Sequence, residues 1–89
     1  MKAYITVMGK DKVGIIASVA NTLSDCRVNI EEINQTILQG TFTMIMAVDT
    51  KESSLGIEEI GVKLSECGGK LGVEIAIRHE DIFNAMHQI

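Results

Sequence analysis

The sequence predicts an α+β fold: a ferredoxin-like βαββαβ sandwich, with a four-stranded antiparallel sheet, two helices on one face and a short C-terminal helix. Three observations predict it. Four stretches, at 2–8, 28–38, 41–48 and 71–78, carry apolar residues in the alternating or near-alternating pattern of strands. Two others, 12–25 and 53–67, repeat their apolar residues at helical spacing. Glycine-containing junctions at Gly9–Asp11, Gln39-Gly40 and Gly68-Gly69 punctuate them, which gives the order strand, helix, strand, strand, helix, strand.

In the first strand Ala3, Ile5 and Val7 form one face, and Tyr4, Thr6 and Met8 the other. Gly9–Asp11 is expected to turn the chain. The first helix should carry its stripe on Val13, Ile16, Ala20 and Leu23, widened by Ile15 and Val19. The second strand loses its alternation at Glu31-Glu32, where a bulge would reset the faces. Gln39-Gly40 suits a tight hairpin turn. The third strand is apolar on both sides, with Phe42, Met44, Met46 and Val48 facing one way and Thr43, Ile45 and Ala47 the other, so it reads as central and covered. Ile57, Ile60, Leu64 and Cys67 make the second helix stripe; Ser53 or Ser54 would cap its start, and Gly68-Gly69 would stop it. Leu71, Val73, Ile75 and Ile77 alternate through the last strand. Ile82, Phe83, Met86 and Ile89 then recur at helical spacing, and a helix this short needs a surface to cover.

Eighty-nine residues suit one domain, 1–89, with 80–89 as a terminal helix. The composition, 46% hydrophobic and 22% charged, excludes a disordered chain. Proline and tryptophan are absent, so the core must be built mainly from Ile, Val, Leu and Met. A net charge of −4 without any Lys/Arg cluster argues against a nucleic-acid partner. No signal peptide or run of membrane-spanning length is visible, so no membrane partner is expected and the cytoplasm is the expected location. Cys26 and Cys67 are too far apart for a CxxC pair. His79 and His87 lack zinc-site spacing, and no serine sits in a nucleophile elbow. No metal, cofactor or catalytic group is therefore expected.

The stretch from Val7 to Ile16 is the best candidate for a small-ligand contact, because a strand running through a glycine turn into a helix points unpaired N–H groups at one place. Asp11 has two readings there: it caps those groups, or it meets a ligand ammonium. Lys10 and Lys12 are solvated loop lysines or attract an anion. Asn29 either holds the chain entering the second strand through a local hydrogen bond or takes part in a site.

Gly9-Lys10-Asp11-Lys12-Val13-Gly14-Ile15-Ile16 after an N-terminal strand, Asp25-Cys26-Arg27-Val28-Asn29-Ile30 before the second, and the βαββαβ order together resemble an ACT domain. The resemblance covers essentially the whole chain. The tail Arg78–His87 is similar to that of stand-alone bacterial and archaeal members. The glycine cleavage regulator and the regulatory part of formyltetrahydrofolate deformylase are similar too, although each carries a further domain. In such domains amino acids commonly bind where the first strand enters the first helix, near a subunit interface. The resemblance implies a regulatory homodimer that senses an amino acid or small polar metabolite and acts on a protein partner. Its contacts would be Gly9, Lys10, Asp11, Lys12, Val13 and Gly14, with Asn29 and Ile30 arriving across the interface. The alternative is a constitutive protein-interaction module, in which the apolar sheet face and Ile82, Phe83 and Met86 form the interface.

Overall fold

A computed structural model describes residues 1–81. The terminal stripe of Ile82, Phe83 and Met86 lies outside the described residues. The chain forms β1 (Lys2–Lys10), α1 (Ile15–Asp25), β2 (Asn29–Leu38), β3 (Thr41–Asp49), α2 (Ile57–Leu71) and β4 (Val73–His79). The sheet is antiparallel throughout, in the order β2-β3-β1-β4, with both helices on one face. This is the expected ferredoxin-like arrangement.

Period-two patterning sets the two central strands. Ala3, Ile5 and Val7 of β1 and Phe42, Met44, Met46 and Val48 of β3 are buried against the helices. Each buried residue of β1 lies opposite one of β3, as in Ile5↔Met46 and Val7↔Met44, so a one-residue slip would expose the whole set. Ile45, on the other face, is open. β3 is thus central, and among the described residues no element covers its second face.

The stripe of α1 is Ile15, Val19 and Leu23, at i, i+4 and i+8. Helical backbone starts three residues later than the periodicity implied, and Val13 is fully exposed in the preceding loop. The helix closes without a glycine. Arg27 takes a left-handed φ of 60°, Arg27 N–H donates to the Ser24 carbonyl and Val28 N–H to the Leu23 carbonyl. That pair of bonds is a Schellman closure, with buried Leu23 and Val28 as its hydrophobic clasp.

Helix α2 also corrects the expected bounds. Gly56, not Ser53 or Ser54, is its N-cap, and the Glu59 carboxylate accepts from the Gly56 N–H at 3.4 Å. Ser53 Oγ instead accepts from Leu55 N–H at 3.2 Å. Gly68 and Gly69 lie inside the helix, which ends at left-handed Gly72 with φ 73°. Gly68 is needed for packing: a Cβ there would fall 2.6 Å from the Val73 carbonyl oxygen.

The β2–β3 hairpin turns through Gln39 (φ 52°) and Gly40 (φ 80°), the two positive φ values of a type I′ turn. The expected bulge is present: the register shifts between Ile30 and Glu32, leaving Glu31 extra. Lys2 Nζ reaches both Glu31 carboxylate oxygens at 2.6 Å.

Candidate functional site

The junction between β1 and α1 is assembled at one end of the sheet. Gly9 and Lys10 belong to β1 and not to a turn; Gly9 lies between Phe42 and Val73, and Lys10 opposite Thr41. Gly9 is there for packing: a Cβ would sit 2.7 Å from Val73 Cγ1 and 3.0 Å from Val73 Cα. Asp11 does not cap the helix. Its backbone N–H donates to the Gly40 carbonyl at 2.8 Å, tying the helix entrance to the hairpin tip, and its side chain stands three residues ahead of the N-cap.

Gly14 is the N-cap. Its φ of 92° is the left-handed region that favours glycine, and it supplies no side-chain oxygen. Ser18 N–H donates to the Gly14 carbonyl at 2.9 Å as the helix begins. Among the described residues no side chain caps α1. The N–H groups of its first turn therefore lack both an intrahelical acceptor and a side-chain one, and the positive end of the helix is open. Asp11, Lys12, Val13 and Gly14 are all exposed around it. Lys12 extends toward the end of α2, its Nζ 3.5 Å from where a Cβ on Gly72 would lie.

Asn29 and Ile30 are not part of this cluster within one chain. They begin β2 opposite Asp49 and Val48, whereas the junction lies beside Gly40 and Thr41 at the other end of β3. Eight strand steps separate those ends, about 26 Å. Asn29 makes no side-chain hydrogen bond among the described residues, so the local-bond reading falls away.

A second polar cluster lies at that far end. Asp49 accepts from the Lys51 N–H at 3.0 Å, lies 3.3 Å from the Met1 ammonium and 3.6 Å from Lys2 Nζ. Its carboxyl is held below the usual range, first by the Lys51 hydrogen bond and then by the ammonium and Lys2 charges. Lys2 is pushed up, chiefly by its hydrogen bond to Glu31. This cluster clamps the bulge. Periodicity could flag the bulge but not the lysine that closes on it.

Grooves also open elsewhere on the surface. One of about 930 Å³ runs between α2 and β4, lined by residues such as Ile57, Val62, Ile75 and Ile77. Another, of about 400 Å³, separates α1 from α2 and includes Thr22, Lys63, Cys67 and Lys70. Both cysteines are free; Cys26 is buried, and burial raises its thiol pKa. Among the described residues no group of three or more His, Cys, Asp or Glu could hold a metal, and no helix is long and apolar enough to cross a membrane.

β2 is an edge strand, as the ferredoxin-like order requires, and apart from half-buried Ile30 it is exposed along its length. Ile33, Ile37 and Leu38 are 47%, 53% and 70% exposed. The polar run Glu31-Glu32 to Gln35-Thr36 was the available signal: a central strand would not tolerate it.

The sequence profile of the ACT domain matches residues 3–78. The chain belongs to the ACT-domain family. A UPF0237 protein of Clostridium acetobutylicum is 51% identical over 89 residues, with 100% of both chains covered. A UPF0237 protein of Methanopyrus kandleri is 38% identical over 88 residues, covering 99% of this chain and 98% of the relative. Among solved structures, an ACT domain protein from Streptococcus pneumoniae is 37% identical, covers 93% of each chain and superposes with a TM-score of 0.82. A putative glycine cleavage system transcriptional repressor shares the fold at a TM-score of 0.72 and 20% identity, covering 99% of this chain and 49% of its own. The ACT fold is a regulatory, non-catalytic module.

Proposed function

We propose that this ACT domain works as a homodimer that senses an amino acid or similar small polar metabolite, and passes the signal to a protein partner. The site is the junction from Gly9 to Gly14 of one subunit, completed by Asn29 and Ile30 of the other. The observation that carries the reading is the exposure of β2, a ten-residue edge strand with Ile33, Ile37 and Leu38 open to solvent. A long unpaired edge of this kind is a ready template for another strand.

Antiparallel pairing of β2 with its copy also answers the separation of the two halves of the site. It sets Asn29 of one subunit beside Leu38 of the other, and Leu38 adjoins the hairpin to which Asp11 is tied. Two residues at opposite ends of one strand thus meet across the two-fold axis.

The chemistry suits a zwitterion. Uncapped N–H groups at the start of α1 can receive a carboxylate, helped by the positive helix end. The Asp11 carboxylate makes no hydrogen bond or ion pair among the described residues, and it suits an ammonium. Val13 and Ile30 would meet the side chain between them. Binding changes the dimer only if the ligand prefers one arrangement of subunits over another.

Calorimetry with the twenty amino acids, on folded and ligand-free protein, tests the ligand class. Heat and a thermal shift from one or a few of them are expected; neither effect from any, at millimolar concentration, sinks the sensing role.

A further inference from the structure

The face of the sheet away from the helices is covered by no element among the described residues. Across its middle run Asn34, Ile45, Thr6 and Ala76, in register on β2, β3, β1 and β4. None is charged, and Ile45 is 37% exposed. Lys2 and Lys10 stand at the two ends of β1 on this face, with Asp49 on β3 and Glu32 on β2, and two further charges sit at its outer edge. Glu74 and Arg78 of β4 point to this same face, four residues apart, and both are exposed. That spacing is about 13 Å along the strand, beyond the screening length of about 8–10 Å in physiological salt. Neither residue makes an ion pair among the described residues.

Area decides what size of partner the face suits. One four-stranded face is about 19 Å by 26 Å, or about 500 Å², against about 800 Å² per side for a standard stable interface. Joining two sheets through β2 doubles it to the standard size. This step rests on the β2 dimer proposed above.

We infer that two such dimers stack through their open sheet faces into a tetramer, in which Arg78 of each subunit meets Glu74 of the partner subunit in the other layer. The register follows from symmetry. Antiparallel β2 pairing has its two-fold axis normal to the sheet, so closed stacking of two dimers adds two axes between the layers. One of these runs across the strands. It lays β4 on β4 with the direction reversed about the centre of β2, which falls at Asn34 once the bulged Glu31 is left out of the pairing. The middle row then lies on itself, Thr6 to Thr6 and Ile45 to Ile45, opposing no like charges. The rows on either side exchange, which brings Arg78 over Glu74, and the end rows exchange as well, setting Lys10 over Lys2, whose ammonium is already held by Glu31 and Asp49. Aligned sheets pack about 10 Å apart with strands within about 30°, close enough for side chains of this length to meet.

Sedimentation velocity of the full chain at micromolar concentration reads the assembly. A mass of about 39 kDa is expected, from four chains of 9.7 kDa. Ile45→Lys, which puts charges at the centre of the stack, should halve the mass to that of a dimer with unchanged far-ultraviolet circular dichroism. Arg78→Glu and Glu74→Arg should each do the same, and the double exchange should restore the tetramer. A wild type of dimer mass overturns the stacking and leaves the β2 dimer standing, with the face left to residues 82–89 or a different protein. A wild type of monomer mass overturns both. A tetramer that survives Ile45→Lys uses some other surface, and one that survives Arg78→Glu has a different register; each result defeats the inference.

Discussion

Val73 touches Gly9 so closely that a single methyl group on Gly9 would lie 2.7 Å from Val73 Cγ1. On the other side of Val73 its carbonyl would be 2.6 Å from a Cβ on Gly68. One residue is thus held between a glycine of β1 and a glycine of α2, and the first strand, last strand and second helix meet at that point.

Alanine at Gly9 should therefore cost about 1–3 kcal/mol, the usual range for overpacking. Val73→Ala in the same chain should recover part of that loss. Denaturant unfolding at fixed protein concentration measures both, and simple additivity of the two changes would show that the contact is not the cause.

Adjacent glycines in α2 should respond with opposite signs. Gly68→Ala meets a backbone oxygen that cannot turn away. Gly69 has nothing within 4 Å of its would-be Cβ, so Gly69→Ala should stabilise by about 0.5–1 kcal/mol through helix propensity. Melting temperatures of the two variants should move in opposite directions.

Arg27 closes α1 in a conformation that glycine adopts without cost. Arg27→Gly should stabilise by a few tenths of a kcal/mol up to about 1 kcal/mol, if relief at the left-handed position exceeds the added entropy of the unfolded chain. A loss of stability would mean that the arginine side chain contributes more than its backbone costs.

The clamp at the start of the chain gives a pH dependence with a definite sign. Asp49 has a depressed pKa in the folded state, so its contribution is present above the unfolded carboxylate pKa of about 3.9 and fades as pH falls through the lower folded value. Lys2, raised, contributes below its unfolded pKa and loses that contribution as pH rises through the folded one. Asp49→Asn should flatten the acid limb of stability against pH and leave the neutral plateau nearly flat. An unchanged acid limb would assign it to other carboxylates.

At the helix entrance, Asp11→Asn removes the charge proposed to meet an ammonium. A loss of about 1.5–3 kcal/mol in amino-acid affinity is expected, the range for a hydrogen bond to a charged group. Titration calorimetry with the best-binding amino acid measures it; equal affinities would take Asp11 out of the site. The charge-preserving Asp11→Glu should fall between.

Much of the fold was readable because its signals are local. The alternation of Ala3, Ile5 and Val7, the slip at Glu31-Glu32 and the Gln39-Gly40 pair each name their own geometry. The helix ends were harder, because long-range packing fixed them. Gly68-Gly69 looked like a stop, but β4 needed Gly68 within the helix, and Gly72 made the turn. Arg27 concealed a closure that usually shows as glycine. At the site, the residues of the β1–α1 junction were foreseen as neighbours, but Asp11 as a cap was not upheld: the helix starts at Ile15, and the Asp11 backbone is committed to Gly40. Asn29 and Ile30 could not be joined to the junction from within one chain, since β2 and β3 carry them to the far end of the sheet.

That backbone bond between Asp11 and Gly40 has a consequence for how the molecule can be watched. The helix entrance and the hairpin tip share one hydrogen atom, so separating them releases that amide to exchange with solvent deuterium. Hydrogen exchange at Asp11 is therefore a built-in gauge of whether the two loops move as one. Slower exchange in the presence of an amino acid would register occupancy at the junction, at a single site and without any label.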